Sequence, residues 1–301
     1  MSGHITVMKE ESLHALQILR GSTIVDATAN GGGHSLGILE RLEGEGRLVS
    51  IDVDPASCTR LRDLFTKSAN ACVAPGNFRN IDTLLEKESV SHVDGILADL
   101  GWSTNQFETA EGYEGRGFSF NKDEPLLMTY GDPQTYPFTA RDIVNRWDEE
   151  DIANVIYGYG DERSSRKIAG AIIEARKKEY IGSSQQLADV IEGAMKRRGK
   201  THPATKTFQA LRITVNDELG ALSEFIEKSI ALLAPKGRLV IITFHSIEDR
   251  IVKQAFKASQ LGGTTHNPIK KPLTPSRDEL KLNPRARSAK LRILEKNETE
   301  I

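Results

Sequence analysis

The sequence predicts an α/β protein: an open, Rossmann-like sheet of mainly parallel strands, interrupted by an inserted, mainly helical lobe. Three observations predict it. Short apolar runs alternate with helix-patterned segments from Thr23 to Asp99. The alternation stops at Trp102, and from Ala140 to about Arg198 apolar residues recur at three- and four-residue spacing. A strand-like run, Arg238–Phe244, then returns far downstream.

The elements follow in order. Thr23–Ala27 reads as a short buried strand, and Leu36–Leu42 as the helix after it. Arg47–Asp52 is the next strand, and Pro55–Lys67 a helix with proline near its first turn. Ala71–Ala74 is a third strand, Ile81–Glu88 a short helix and Val93–Asp99 a fourth strand. Ala204–Leu233 reads as a long helical stretch, Ser246–Lys257 as a helix and Ala289–Glu295 as a closing edge strand, with a Pro- and Lys-rich loop over Gly262–Pro284. These elements predict residues 1–102 as the first part of the core, 103–203 as the lobe and 204–301 as the second part of the core with a basic C-terminal segment.

Composition narrows the class. The chain has 301 residues, 38% hydrophobic and 27% charged, which suits a globular protein and argues against wholesale disorder. The net charge of -2 does not itself point to nucleic acid. Its distribution is more informative, because nine Lys or Arg face three acidic residues between His266 and Lys296, and Lys196–Lys200 is a second basic cluster. Such clusters read either as phosphate-facing patches or as solvated surface. Cys58 and Cys72 show no metal-ligand spacing, so no metal is expected. With neither a signal segment nor a long apolar run, the expectation is a reduced, cytoplasmic protein with no membrane partner.

Chemistry gathers at the ends of the predicted strands. The first strand runs into Asp26–Ser35, with glycine at 31, 32 and 33, a turn that lets a ligand approach the backbone beside a helix N-terminus. A dinucleotide fingerprint would need a third glycine where Leu36 stands, which weakens an oxidoreductase reading. Asp52 ends the second strand, where a carboxylate can accept both ribose hydroxyls of a nucleoside; Asp54 competes for that role, and Asp52 could instead cap the helix at Pro55. Phe78 could stack on an adenine or belong to the core. Asp99-Leu100-Gly101-Trp102 is loosely similar to the D-P-P-Y type motif of amino-group methyltransferases, without its prolines.

Longer strings are specific. They are His4–Val7, Asp26–Ser35, Asp99–Gly101, Gln106, Arg116–Phe120, Tyr159–Arg163, His202–Ile213, Phe244–Arg250 and Asn283–Ser288. Together they resemble the bacterial ribosomal RNA small-subunit methyltransferase H family over nearly the whole chain. The resemblance implies a class I methyltransferase sheet of seven strands with an inserted helical substrate-binding domain, and S-adenosyl-L-methionine as cofactor. It implies the exocyclic N4 of a cytidine in the decoding region of 16S ribosomal RNA as target. The RNA or the small ribosomal subunit is then the partner, and the oligomeric state stays open, a homodimer included. Cofactor contacts fall on Gly32, Gly33, His34, Asp52, Phe78, Asp99 and Gln106. The candidate catalytic residues are Asp99, Trp102 and His245: Asp99, or the carbonyls of the turn after it, as proton acceptor, Trp102 as a stacking surface for the base, and His245 as a lining residue of the base pocket or else a hydrogen-bonded core histidine. Glu248, Asp249 and Arg250 read as an internal ion-pair network, while Arg116 and Arg212 could meet phosphate or the lobe. Leu127 and Thr129 depart from the family pattern, which has a carboxylate and a guanidinium there. Two rivals remain: a methyltransferase acting on another amine, and a non-catalytic RNA-binding assembly factor.

Overall fold

The structure, a computed structural model, describes residues 5–101, 115–195 and 202–298. Seven strands form one sheet: β1 (Thr23–Asp26), β2 (Arg47–Asp52), β3 (Ala71–Pro75), β4 (Val93–Asp99), β5 (Leu233–Thr243), β6 (Thr265–His266) and β7 (Lys290–Lys296). Their order is β3-β2-β1-β4-β5-β7-β6, so the direction of winding reverses between β1 and β4. The first five strands are parallel, and β7 runs antiparallel to β5 and β6. The predicted fold class is the one observed. The two-residue β6 lies in a segment read as loop, because so short an edge strand has no periodicity to detect.

Alternate residues of each strand face opposite sides, and both sides are covered. One face buries Val25, Val49, Ile96 and Ile241; the other buries Ile24, Leu48, Leu97 and Val240. Helices α1 (Lys9–Leu16), α2 (Gly33–Leu42) and α3 (Pro55–Leu64) add Leu13, Ile38 and Leu61 to the second face. Helix α4 (Ile81–Lys87) adds Ile81 and Leu85 to the first.

The insert carries helices α5 (Ala140–Arg146), α6 (Glu149–Gly160), α7 (Ser165–Arg176), α8 (Ser184–Met195) and α9 (Thr205–Asn216) around its own core, which includes Ile143, Ile156, Ile172, Ile191 and Leu211. Two compact units result: Met1–Trp102 with Leu219–Ile301, and Ser103–Glu218. Helix α9 therefore belongs to the insert, and the chain returns to the sheet unit after Glu218, past the 203/204 boundary expected from sequence. The stretch read as one helix from Ala204 breaks at Asp217, whose left-handed backbone (φ 45°) ends α9.

Back in the sheet unit, α10 (Glu218–Leu232) and α11 (Ser246–Leu261) bury Phe225 and Phe256 on the first face, and α12 (Arg277–Leu282) precedes β7. No helix among the described residues is long and apolar enough to cross a membrane.

Candidate active site at the carboxyl edge of the sheet

Three carboxylates, Asp26, Asp52 and Asp99, are the last residues of β1, β2 and β4. Parallel pairing brings these strand ends to one edge, on either side of the winding switch, where open α/β sheets bind ligands.

The glycine turn after β1 is shaped by close packing. Gly32 has φ 80°, and a Cβ on Gly33 would fall 1.8 Å from Thr6 Oγ1. The N-terminal segment therefore passes directly against the start of α2. His34 is buried, and its Nε2 lies 3.2 Å from the Val7 carbonyl oxygen, an acceptor that assigns the ring proton to Nε2. Nδ1 is then left 3.8 Å from Asp99 Oδ2.

Asp52 answers the question the sequence left open. Its Oδ2 accepts the Asn30 N–H at 2.7 Å and its Oδ1 the Asp54 N–H at 2.8 Å, which anchors it to the glycine turn. Capping of α3 falls to Asp54, which accepts from Ala56 N and from Ser57 Oγ. Burial pushes the Asp52 carboxyl up to about 6, against the two backbone hydrogen bonds that lower it. Asp26 is fully buried, receives the Ser35 hydroxyl at 2.6 Å, and is likewise pushed by burial to about 6.

Asp99 stands apart. Its backbone N–H donates to Thr28 Oγ1 at 2.7 Å, yet its Oδ1 is buried with no hydrogen-bond partner among the described residues. Burial, followed by the negative charges of Asp26, Glu248 and Glu279, holds its carboxyl well above the usual carboxylate range. This edge is thus rich in buried carboxyls, and Asp99 Oδ1 is an acceptor without a partner among the described residues.

The remaining candidates sort by what they touch. Phe78 packs edge-on against Phe225 at 5.0 Å and rests partly buried on the sheet core. His245 is the N-cap of α11: its Nδ1 accepts from Glu248 N, while the Glu248 carboxylate receives Phe244 N and His245 N. Its Nε2 lies 3.0 Å from Glu248 Oε1, off the angle of a hydrogen bond. Of Glu248, Asp249 and Arg250, read as an internal ion-pair network, Asp249 pairs with Lys290 at 2.9 Å and Arg292 at 2.7 Å, partners outside that trio. Burial raises its carboxyl, but the hydrogen bonds from Arg292 and Lys290 outweigh that and hold it below the ordinary value. Trp102, Gln106 and Lys196–Lys200 lie outside the described residues.

In the insert, Arg116 donates to the Thr129 and Tyr130 carbonyls, and Arg212 grips Glu218 through two bonds of 2.8 and 3.0 Å. Thr129 is fully buried, its hydroxyl on the Gly131 carbonyl, so that departure from the family pattern is a packing position.

Sequence reasoning missed Thr28 and Glu279. Ser276-x-x-Glu279 reads as a capping box at the start of α12, and Ser276 does accept the Glu279 N–H. The Glu279 carboxylate, however, goes to the distant Met8 N–H at 2.6 Å, a partner that no local pattern announces.

Comparison with known proteins identifies the family. The profile of the MraW methylase family matches residues 1–297. A protein named ribosomal RNA small subunit methyltransferase H from Brevibacillus brevis is 43% identical, covering 97% of this chain and 98% of its own. Proteins of the same name from Deinococcus deserti and Heliobacterium mobile are 44% and 41% identical, over 97% of this chain and 93% and 98% of theirs. A full-length profile match and relatives above 40% identity, on a chain whose strand ends converge on one acidic edge, make it a member of the MraW methylase family.

Proposed function

We propose that this chain transfers a methyl group from S-adenosyl-L-methionine to the exocyclic N4 of a cytidine in the decoding region of 16S ribosomal RNA, and that it does so in the cytoplasm. The observation that carries the reading is Asp99, a carboxylate at the winding switch whose buried Oδ1 has no partner among the described residues. The names of the curated relatives support the choice of RNA.

The residues fit the cofactor. S-Adenosyl-L-methionine, when bound, supplies a methyl carbon activated by positive sulfur. Asp26, Asp52 and Asp99 offer that cation a carboxyl-rich surround, and Gly32, Gly33 and His34 open the backbone to it. Asp52 would accept the ribose hydroxyls and Phe78 would flank the adenine. A nearby cation favours the ionised form of Asp99, which offsets the burial that raises it.

The cytosine N4 lone pair is delocalised into the ring, so that nitrogen is a poor nucleophile. Asp99 Oδ1 would accept one N4 N–H, favour a pyramidal nitrogen and take the proton as the new bond forms. A base of this kind contributes about 10²–10⁴-fold, and alignment up to roughly 7–11 kcal/mol. The base must be reached unstacked, from a loop or by flipping, and Trp102 would stack on it. We assign RNA binding to the inserted helical unit, Ser103–Glu218, and to the basic C-terminal segment.

Mass spectrometry of 16S ribosomal RNA nucleosides from cells with and without the gene tests this. Loss of the N4-methylated cytidine supports it, and an unchanged nucleoside profile overturns it. Transfer to protein instead of small subunits or naked RNA would favour another amine as substrate, and failure to bind S-adenosylmethionine would favour an assembly factor.

A further inference from the structure

A chain of contacts links the C-terminal segment to Asp99. Glu279 Oε1 on α12 accepts the Met8 N–H at 2.6 Å. The preceding residue, Val7, offers its carbonyl to His34 Nε2 at 3.2 Å, and His34 Nδ1 lies 3.8 Å from Asp99 Oδ2. Asn283, one turn further on, donates its side-chain N–H to the Ile5 carbonyl at 3.1 Å. Residues 5–8 are thus a strap held from two sides, against Gly33 and His34 underneath and by Glu279 and Asn283 above. Capping α12 needs only the Ser276 hydroxyl and the Glu279 N–H. The Glu279 carboxylate is therefore spent on the strap, and its second oxygen is buried without a partner among the described residues.

We propose that Glu279 is a positioning residue for methyl transfer: it holds Val7 over His34, which fixes the tautomer and place of that ring beside Asp99. Among the described residues, the charges of Asp26 from β1, Glu248 from α11 and Glu279 from α12 raise the Asp99 carboxyl, and His34 from α2 lies 3.8 Å from it. Glu279 is the one that reaches it from a segment tied to the strap. The inference rests on the reading of Asp99 as the acceptor for the target amine.

Two variants separate the parts. Glu279→Gln keeps an oxygen for the Met8 N–H and removes the charge; Glu279→Ala removes both. In cofactor-free protein, nitrogen-15 shifts of the His34 ring should show one tautomer in wild type and Glu279→Gln, and exchange between tautomers in Glu279→Ala. Single-turnover methylation of small subunits at pH 8 should fall about tenfold in Glu279→Ala and stay within about threefold in Glu279→Gln. The dissociation constant for S-adenosylmethionine should change less than about threefold in both. An unchanged His34 spectrum in Glu279→Ala or a Glu279→Gln variant as slow as Glu279→Ala would each overturn the proposal. If Glu279→Ala does not fold, Asn283→Ala, which releases the Ile5 end of the strap, decides by the same His34 spectrum. A wild-type protein that methylates no RNA would instead count against the function proposed above, and the His34 spectra would still test the strap.

Discussion

The carboxyl edge of the sheet and the inserted helical unit both carry family-specific strings, and they use them differently. In the insert, several polar members of those strings and their neighbours are consumed internally. Arg212 of F-Q-A-L-R-I grips Glu218, which also receives the Tyr130 hydroxyl at 2.8 Å. Asn216 bridges the Tyr130 N–H and the Met128 carbonyl, and Glu162 receives the Ser164 N–H. At the sheet edge, two equally specific strings begin at buried carboxyls, Asp26 and Asp99, and the second has an oxygen without a partner among the described residues. A motif can therefore be specific because it holds a unit together or because it leaves a group free for a ligand, and only the hydrogen-bond partners separate the two.

The largest effect should come from the side expected to be structural. Arg212→Ala leaves Glu218 with only part of its partners at a mostly buried site. Removing one member of such a pair costs about 3 kcal/mol, read as a lower denaturation midpoint with unchanged S-adenosylmethionine affinity. Loss of affinity without loss of stability would erase the contrast.

Next in size, Asp99→Asn keeps the shape and removes the charge. Single-turnover methylation should fall by about 10²-fold while cofactor affinity changes less than about tenfold. Equal losses in both would make Asp99 a binding residue, and the proton would have to leave by another route.

A smaller effect concerns Asp52 and pH. Asp52→Ala should weaken cofactor binding by about 1.5–3 kcal/mol, roughly tenfold or more. In the wild type, Asp26 and Asp52 are ionised above about pH 6 and neutral below it. Affinity for the sulfonium cation should therefore hold above pH 7 and fall as pH drops through 6, by about tenfold at pH 5. The sign reverses for folding. These two groups are raised above their unfolded values, so the native state holds more protons between pH 4 and 6 and the cofactor-free protein gains stability from them as pH falls. Calorimetry with the cofactor and thermal melts without it check both signs, and parallel trends would contradict the assignment.

The smallest effect belongs to the basic C-terminal segment, where Lys270 and Lys271 are exposed and Arg287 follows. Neutralising them should flatten the salt dependence of RNA binding by about 0.7–0.9 in log–log slope for each phosphate no longer neutralised. An unmoved slope returns them to solvated surface.

Much of the sheet was legible because buried strands announce themselves. Val25, Val49, Ile96 and Ile241 recur in apolar runs bounded by turn residues, and each run ends at the residue that closes the strand or one beyond it. Element ends that depend on single backbone angles were not legible, as at Asp217, where α9 stops inside an unbroken helical pattern.

By itself the sequence determined the alternation of β1 to β4, the interruption, the glycine turn and the acidic strand ends, since each is written in local periodicity or short spacing. Folding settles which carboxylate caps a helix and which faces the turn, because Asp52 and Asp54 are two residues apart and chemically identical. It likewise assigned Arg212 to Glu218, His245 to the end of α11, and Glu279 to Met8, 271 residues away. The reason is physical. Apolar burial leaves a period in the chain, whereas a buried polar atom takes whatever partner the fold brings within hydrogen-bond reach, and that partner has no fixed distance in sequence.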